Sequence, residues 1–126
     1  MRIHHVGLSC RREADADRFF VELLGLEKSE PMTTPVALAR PIFGIDRDIE
    51  KRNYAGDGVL FELFFHDDPL ATTDRIAHAC LEVALPDALA ERARAMGFAV
   101  LRVPKGDGFV VFVEDADGHR FEIKKG

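Results

Sequence analysis

Several residue types and patterns are rare in or absent from this sequence, and their absence excludes some classes of protein. Its 126 residues contain no Trp, only two Cys, and no apolar run near the ~20 residues that cross a bilayer. Cys10 and Cys80 match neither a secreted disulfide scaffold nor a CxxC metal site, so we expect two buried thiols in a reducing compartment. The amino-terminal residues lead directly into a strand-like run, without an apolar signal region. These absences predict a cytoplasmic protein with no membrane partner.

An excess of basic residues is also missing. The chain has 17 Lys and Arg against 22 Asp and Glu, a formal net charge of −5. This balance argues against nucleic acid as a partner, because binding to phosphates depends on clustered basic side chains. The hydrophobic fraction of 47% is that of an ordinary globular protein. We therefore predict one folded domain over residues 1–126 that binds a small molecule.

Apolar periodicity divides the first part of the chain into strands and a helix. Large apolar residues recur at helical spacing before Gly25, which predicts a helix there. On both sides of this helix apolar and polar residues alternate, which is typical of strands. The predicted elements are a strand over 2–10, a helix over 13–24, strands over 36–43 and 49–54, and a strand over 58–65. The segment 67–74, which begins Asp-Asp-Pro, is predicted to be a linker.

The same order of elements then recurs. The predicted elements of this second part are a strand over 76–83, a helix from Pro86 to about Met96 that stops at Gly97, and strands over 98–103, 109–114 and 120–124. This repeat predicts an α+β fold of two tandem βαβββ modules, about 1–68 and about 74–126. Their curved mixed sheet would enclose a cleft, since too few helices alternate with strands for a doubly wound sheet.

Each module carries a His on its first strand and a Glu on its last. The residues are His5 and Glu62 in the first module, and His78 and Glu122 in the second. Alternation puts all four on the face opposite the apolar row, so they could converge in the cleft. Taken singly, a strand His or Glu is more often structural or solvated. Four at matched positions of a repeat make coincidence the weaker explanation.

Imidazole and carboxylate together suit a divalent transition metal. The sequence predicts one such ion, with Ni, Zn, Co, Mn and Fe left open. It leaves open whether the ligands meet within one chain or across two copies. Glu82 shares the face of His78 but lies about 13 Å along the strand, too far to join the same ion. His66 and His119 are expected to be exposed. Possible anion contacts in the middle of the first module are Arg40, Arg47, Lys51 and Arg52.

Several short segments carry a family likeness over nearly the whole chain. They are Ile3 to Leu8, Phe19-Phe20 with Leu24-Gly25-Leu26, Phe61-Glu62-Leu63, Ile76-Ala77-His78, and Asp115 to Ile123. The last resembles an Asp-Pro-Asp-Gly-Asn turn followed by a terminal Glu. In this order the segments resemble the vicinal oxygen chelate superfamily, which includes glyoxalases, bleomycin-resistance proteins and dioxygenases.

Within that superfamily the His-Glu-His-Glu set is similar to glyoxalase I. The resemblance implies a metal-dependent lyase or isomerase that transfers a proton next to a carbonyl of a 2-oxoaldehyde–thiol adduct or a related substrate. It implies that Glu122 is both a ligand and the proton-transferring base, with Glu62 as its counterpart. It also implies a homodimer.

Some positions depart from the relatives. Methylmalonyl-CoA epimerase typically has Gln where this chain has Glu62, and fosfomycin-resistance enzymes have Thr at the place of Gly7. Bacterial glutathione-dependent glyoxalases carry Arg at the place of Ser9, so the thiol is left open. The alternatives are an enzyme like methylmalonyl-CoA epimerase, and a non-catalytic protein that binds a small molecule or confers resistance.

Overall fold

A computed structural model describes residues 1–67 and 76–126. The chain folds as two compact units, Met1–Asp68 and Pro69–Gly126. The linker predicted over 67–74 lies, from residue 68 onward, outside the described residues. No helix in the described ranges is long and apolar enough to cross a membrane.

The first unit is a mixed sheet with helical segments. Its elements are β1 (Val6–Cys10), α1 (Glu13–Ala16), a π-helical segment (Asp17–Leu23), β2 (Glu27–Lys28), β3 (Met32–Thr34), α2 (Val36–Phe43), β4 (Ile49–Gly56) and β5 (Val59–Phe65). The strand order is β1-β5-β4-β2, and β3 also pairs with β4. β1 runs parallel to β5, whereas β4 is antiparallel to its neighbours.

The helix predicted over 13–24 is confirmed as α1 continued by the π-helical segment. The Leu24 amide donates to the Phe19 carbonyl at 3.0 Å, five residues back, which is the wider spacing of a π-turn. The wider turn accompanies the burial of Phe19, Phe20 and Leu23 in the core. Gly25 ends the segment with a φ of +73°, a value that residues with a Cβ rarely adopt.

The strand predicted over 36–43 is wrong, because these residues form helix α2. The run is rich in Ala, Leu and Arg, which favour helix, and the structure supplies a cap from a distant residue. The Asp48 carboxylate accepts a hydrogen bond from the Val36 amide at 2.7 Å, which satisfies a donor at the start of the helix. Ala39 then packs fully into the core, and Gly44, with a φ of +70°, ends the helix.

The second unit is a βαβββ module. Its elements are β6 (Ala79–Val83), α3 (Pro86–Ala95), β7 (Val100–Lys105), β8 (Gly108–Glu114) and β9 (Arg120–Lys125). The strand order is β6-β9-β8-β7, with β6 parallel to β9. α3 begins at Pro86 and is followed by Gly97 at a φ of +87°, as the sequence predicts.

The two sheets have equivalent topologies. In each, the first strand pairs in parallel with the last, and the last pairs antiparallel with the strand before it. Alternate residues of each last strand are buried, namely Phe61 and Leu63 in β5, and Phe121 and Ile123 in β9. The prediction of an α+β fold with mixed sheets is confirmed. The intervening residues of β5 and β9 lie on the opposite face, where the candidate site residues lie.

Candidate metal-binding residues

The first His–Glu pair lies where β1 begins. His5 immediately precedes β1, which starts at Val6 rather than at residue 2 as predicted. The parallel pairing puts Gly7 directly opposite Glu62 of β5. The distance from His5 Nε2 to Glu62 Oε2 is 3.5 Å, and the Glu62 side chain is only 17% exposed. The register of two strands far apart in sequence therefore brings this pair together.

The second pair repeats this arrangement. His78 immediately precedes β6, and Cys80, two residues on, lies opposite Glu122 of β9. His78 Nε2 lies 3.4 Å from Glu122 Oε2, and the Glu122 side chain is 15% exposed. In both units the residue two places after the histidine is thus paired with the glutamate. The two pairs therefore share the same position in the strand register, as well as the same order along the sequence.

Within the described residues, the four predicted ligands lie as two separate His–Glu pairs. In residues 1–67 and 76–126, no group of three or more His, Cys, Asp or Glu side chains is arranged to hold a metal ion. His5 lies with Glu62 in the first unit, and His78 lies with Glu122 in the second.

The tautomer of His78 suits a metal. Its Nδ1 lies 2.7 Å from the carbonyl oxygen of Ile76, which can only accept, so Nδ1 carries the proton. In the neutral ring Nε2 then presents a lone pair towards a carboxylate oxygen of Glu122. Two acceptors that face each other are stabilised by a cation between or beside them, and a proton or a metal ion can meet this need. A backbone acceptor on the far ring nitrogen is also the usual support of a metal-bound histidine. This donor set therefore fits a divalent metal.

A lysine contacts each of the glutamates. Lys51 of β4 and Lys124 of β9 each have Nζ 3.2 Å from the Oε1 atom of Glu62 and Glu122 respectively. The hydrogen bond to Glu122 raises the pKa of Lys124. Lys51, one of the basic residues proposed from sequence for anion contacts, thus lies against a candidate ligand. Arg40 pairs with Asp46, Arg47 with Asp67, and Arg52 with Glu13.

Some neighbours of the pairs differ from expectation. Cys80 is exposed, contrary to the prediction, because it lies on the Glu122 side of β6 and not on the core side. Partial desolvation of this thiol by its neighbours and the charge of the Glu122 carboxylate both raise its pKa. Cys10 is buried as predicted. His66 is partly buried and not exposed, since its Nε2 lies 3.0 Å from Ser9 Oγ and its amide donates to the Cys10 carbonyl.

A tight turn fixes the start of β9 and hence the position of Glu122. The buried Asp115 carboxylate accepts hydrogen bonds from the amides of Asp117 and His119, at 3.0 and 2.9 Å. Its second oxygen lies 2.8 Å from His119 Nδ1. Gly118 takes a φ of +84° in this turn. His119, predicted to be exposed, is instead partly buried against Asp115.

We expect the stability of this turn to depend on pH through His119. Burial lowers the pKa of His119, but the hydrogen bond and negative charge of Asp115 raise it by more, so that the net shift is upward. The protonated His119 therefore stabilises the fold fully below its unfolded pKa of about 6.5, and this contribution is lost as the pH rises through the folded pKa.

Urea unfolding at pH 5.5, 7 and 8.5 tests this dependence, with His119→Asn as the reference protein. The free energy of unfolding of the wild type, minus that of the variant, should fall as the pH rises. A difference that is constant over this range would contradict the assignment.

Known proteins share this fold. A sequence model of the Glyoxalase/Bleomycin resistance protein/Dioxygenase superfamily matches residues 2–123. No curated protein matches the chain. Among solved structures, a glyoxalase family protein from Enterococcus faecalis has 21% identity and a TM-score of 0.73, over 97% of this chain and 95% of that one.

Other solved relatives have stated ligands or activities. The fosfomycin resistance protein of Listeria monocytogenes complexed with Mn(II) and sulfate has 17% identity and a TM-score of 0.70, over 99% of this chain and 92% of that one. The trypanothione-dependent glyoxalase I of Leishmania major has 16% identity and a TM-score of 0.69, over 99% and 86%. The TM-scores of these structures show a shared fold. The match of the sequence model over residues 2–123 shows that the chain belongs to the glyoxalase, bleomycin resistance protein and dioxygenase superfamily.

Proposed function

We propose that this protein is a metal-dependent lyase or isomerase of the glyoxalase I type, which transfers a proton at the carbon next to a carbonyl. The observation that carries the proposal is the repeated pairing of a histidine with a glutamate at one register position in each sheet. Two carboxylates that are largely kept from solvent, each beside an imidazole at the same register position, support a shared chemical role for the pairs.

The proposed ligands of one divalent ion are His5, Glu62, His78 and Glu122. Both units would form a single glyoxalase-like domain. The ligands would belong either to one chain or to the two copies of a homodimer. The metal, among Ni, Zn, Co, Mn and Fe, would polarise a carbonyl oxygen and stabilise the negative charge that develops there. The binding of Mn(II) by the Listeria protein supports a divalent ion.

The proton transfer is assigned to the carboxylates. On a hemithioacetal, Glu122 would accept the proton from the carbon that bears the sulfur and hydroxyl groups. It would then return that proton to the neighbouring carbonyl carbon, while the hydroxyl proton moves to the carbonyl oxygen. The product is a 2-hydroxy thioester, and no electrons enter or leave. Glu62 is the counterpart of Glu122, and a positioned carboxylate of this kind contributes about 10² to 10⁴ in rate.

The residue at position 9 favours a second candidate substrate. Ser9 is neutral, unlike the Arg at this place in bacterial glutathione-dependent glyoxalases, and so it offers no positive charge to a glutathione carboxylate. The thiol carrier could therefore differ from glutathione, and an acyl-CoA epimer is the second substrate class to assay. A small-molecule binding or resistance protein would be the alternative if no metal is bound.

Elemental analysis tests the proposal directly. Wild type purified without chelator should contain about one equivalent of a transition metal, because two imidazoles and two carboxylates together supply four ligands for a divalent ion. His5→Ala and Glu122→Ala should each lose it. Glu82→Ala is the matched control, since Glu82 is exposed in β6 and is paired in register with Lys124 rather than with a proposed ligand. A wild type without metal that also fails to bind added Ni, Zn, Co, Mn or Fe would refute the metal site.

A further inference from the structure

The face of the first sheet that carries Glu62 holds further polar and aromatic groups. Strand register places Lys51 opposite Phe64 and Asn53 opposite Glu62. Residues directly opposite one another in antiparallel strands share a face. Lys51, Asn53, Glu62 and Phe64 therefore form one patch, which we call the β4–β5 patch.

Lys51 is poorly solvated and depends on a nearby negative charge. Its side chain is 21% exposed, Nζ lies 3.2 Å from Glu62 Oε1, and the ammonium lies 5.5 Å from the centre of the Phe64 ring. The other oxygen of Glu62 faces His5. A largely buried ammonium is costly without a counter-charge. Among the described residues, Glu62 is thus the counter-charge that contacts Lys51.

A divalent ion bound to Glu62 would weaken the pairing of this carboxylate with the Lys51 ammonium. The carboxylate would then be shared with a dication, and the Lys51 ammonium would lie beside that dication with its own counter-charge weakened. Repulsion between the two cations would disfavour metal binding unless a further anion reaches Lys51. Metal and anion should therefore bind more tightly together than alone.

The rest of the patch indicates what the anion carries. The Phe64 ring packs 5.0 Å from the ring of Phe43, which is 46% exposed at the end of α2. These rings offer an apolar wall beside the ammonium. On the same face, the Asn53 Oδ1 atom is buried and has no hydrogen-bond partner among the described residues.

We propose that Lys51 binds the anionic group of the substrate, which is a small organic anion with an apolar substituent that packs on Phe64 and Phe43. Lys51 exchanges its contact with Glu62 for one with this anion when Glu62 binds metal. The inference rests on the proposed function, because it takes Glu62 as a ligand. It adds a substrate class and a residue that selects it.

The experiment measures Mn(II) affinity with and without benzenesulfonate, at fixed ionic strength in chloride. Benzenesulfonate carries an anionic group and an aromatic ring and coordinates metal ions only weakly. Free Mn(II) is counted by its electron paramagnetic resonance signal. In the wild type, saturating benzenesulfonate should tighten Mn(II) binding about tenfold, a typical size for coupling between two sites. Methyl phenyl sulfone, which has the ring without the charge, should have no effect.

Variants of the lysine separate its role from a general effect of charge. Lys51→Met should bind Mn(II) more tightly than the wild type without anion, and should lose the response to benzenesulfonate. Lys51→Arg keeps the charge and should keep a response. Lys124→Met is the matched control, because its ammonium also lies 3.2 Å from a proposed ligand but its side chain is 60% exposed. It should keep the wild-type response.

The possible results distinguish the inference from the function on which it rests. An equal benzenesulfonate response in Lys51→Met and wild type, with Mn(II) bound by both, would overturn the inference and leave the proposed function intact. If Lys51→Met does not fold, Lys51→Gln, which also removes the charge, takes its place, and a response equal to that of the wild type overturns the inference. Failure of the wild type to bind Ni, Zn, Co, Mn or Fe would overturn both.

Discussion

Replacing Glu122 with Gln is expected to lower kcat/KM for the isomerisation of a hemithioacetal by about a thousandfold, or about 4 kcal/mol in activation free energy. Gln has nearly the same shape but cannot accept the proton from the substrate carbon. It also removes the negative charge that faces His78 at 3.4 Å. The effect should persist at saturating metal, because weaker metal binding explains only part of it.

The matched control is Glu82→Gln. Glu82 is exposed in β6, in the same sheet as Glu122, and is paired in register with Lys124 rather than with a proposed ligand. This variant should keep kcat/KM within a factor of about two, as is usual for an exposed position. The assay uses the hemithioacetals of methylglyoxal with several thiols, and acyl-CoA epimers in parallel. Full activity of Glu122→Gln on a substrate that the wild type turns over would remove Glu122 from the mechanism.

Asp115→Ala is expected to lower the free energy of unfolding by about 3 kcal/mol. The Asp115 carboxylate accepts from the amides of Asp117 and His119 and from the His119 ring. Alanine removes all three acceptor contacts and leaves these donors without their partner in the turn. Because the turn leads directly into β9, metal affinity should fall as well.

Asp107→Ala is the control for this change. Asp107 is exposed in the turn between β7 and β8, so the same substitution there should change the free energy of unfolding by at most about 0.5 kcal/mol. Urea unfolding followed by circular dichroism gives both values. If the two variants unfold at the same urea concentration, the Asp115 hydrogen bonds do not contribute to stability in the way proposed.

Local sequence patterns predicted the helical segment 13–24 of the first unit, the βαβββ order of the second and the strands that carry the glutamates. They failed at α2, where the apolar run 36–43 is compatible with either strand or helix. The deciding contact there is the Asp48 carboxylate on the Val36 amide, twelve residues apart. Periodicity within the run contains no information about that partner.

The residues of the candidate site were likewise predicted only in part from the sequence. Alternation along a strand placed Glu62 and Glu122 opposite the core, and the repeat drew attention to His5 and His78. Sequence reasoning named Lys51 only as one of several possible anion contacts, and it did not find Asn53. Both lie on the Glu62 face because of the pairing of β4 with β5. Alternation within β4 could have shown that they share a face, but not which residues they oppose.

The sequence by itself determined the α+β class, the repeated order of elements and the chemical identity of the candidate ligands. These follow from side-chain periodicity and residue type, which are local properties. Tertiary structure alone decided which atoms face each other: Gly7 opposite Glu62, Cys80 opposite Glu122, and the Lys51 ammonium beside a proposed ligand. The physical reason is that strand register is chosen by hydrogen bonds and packing between segments far apart in the chain.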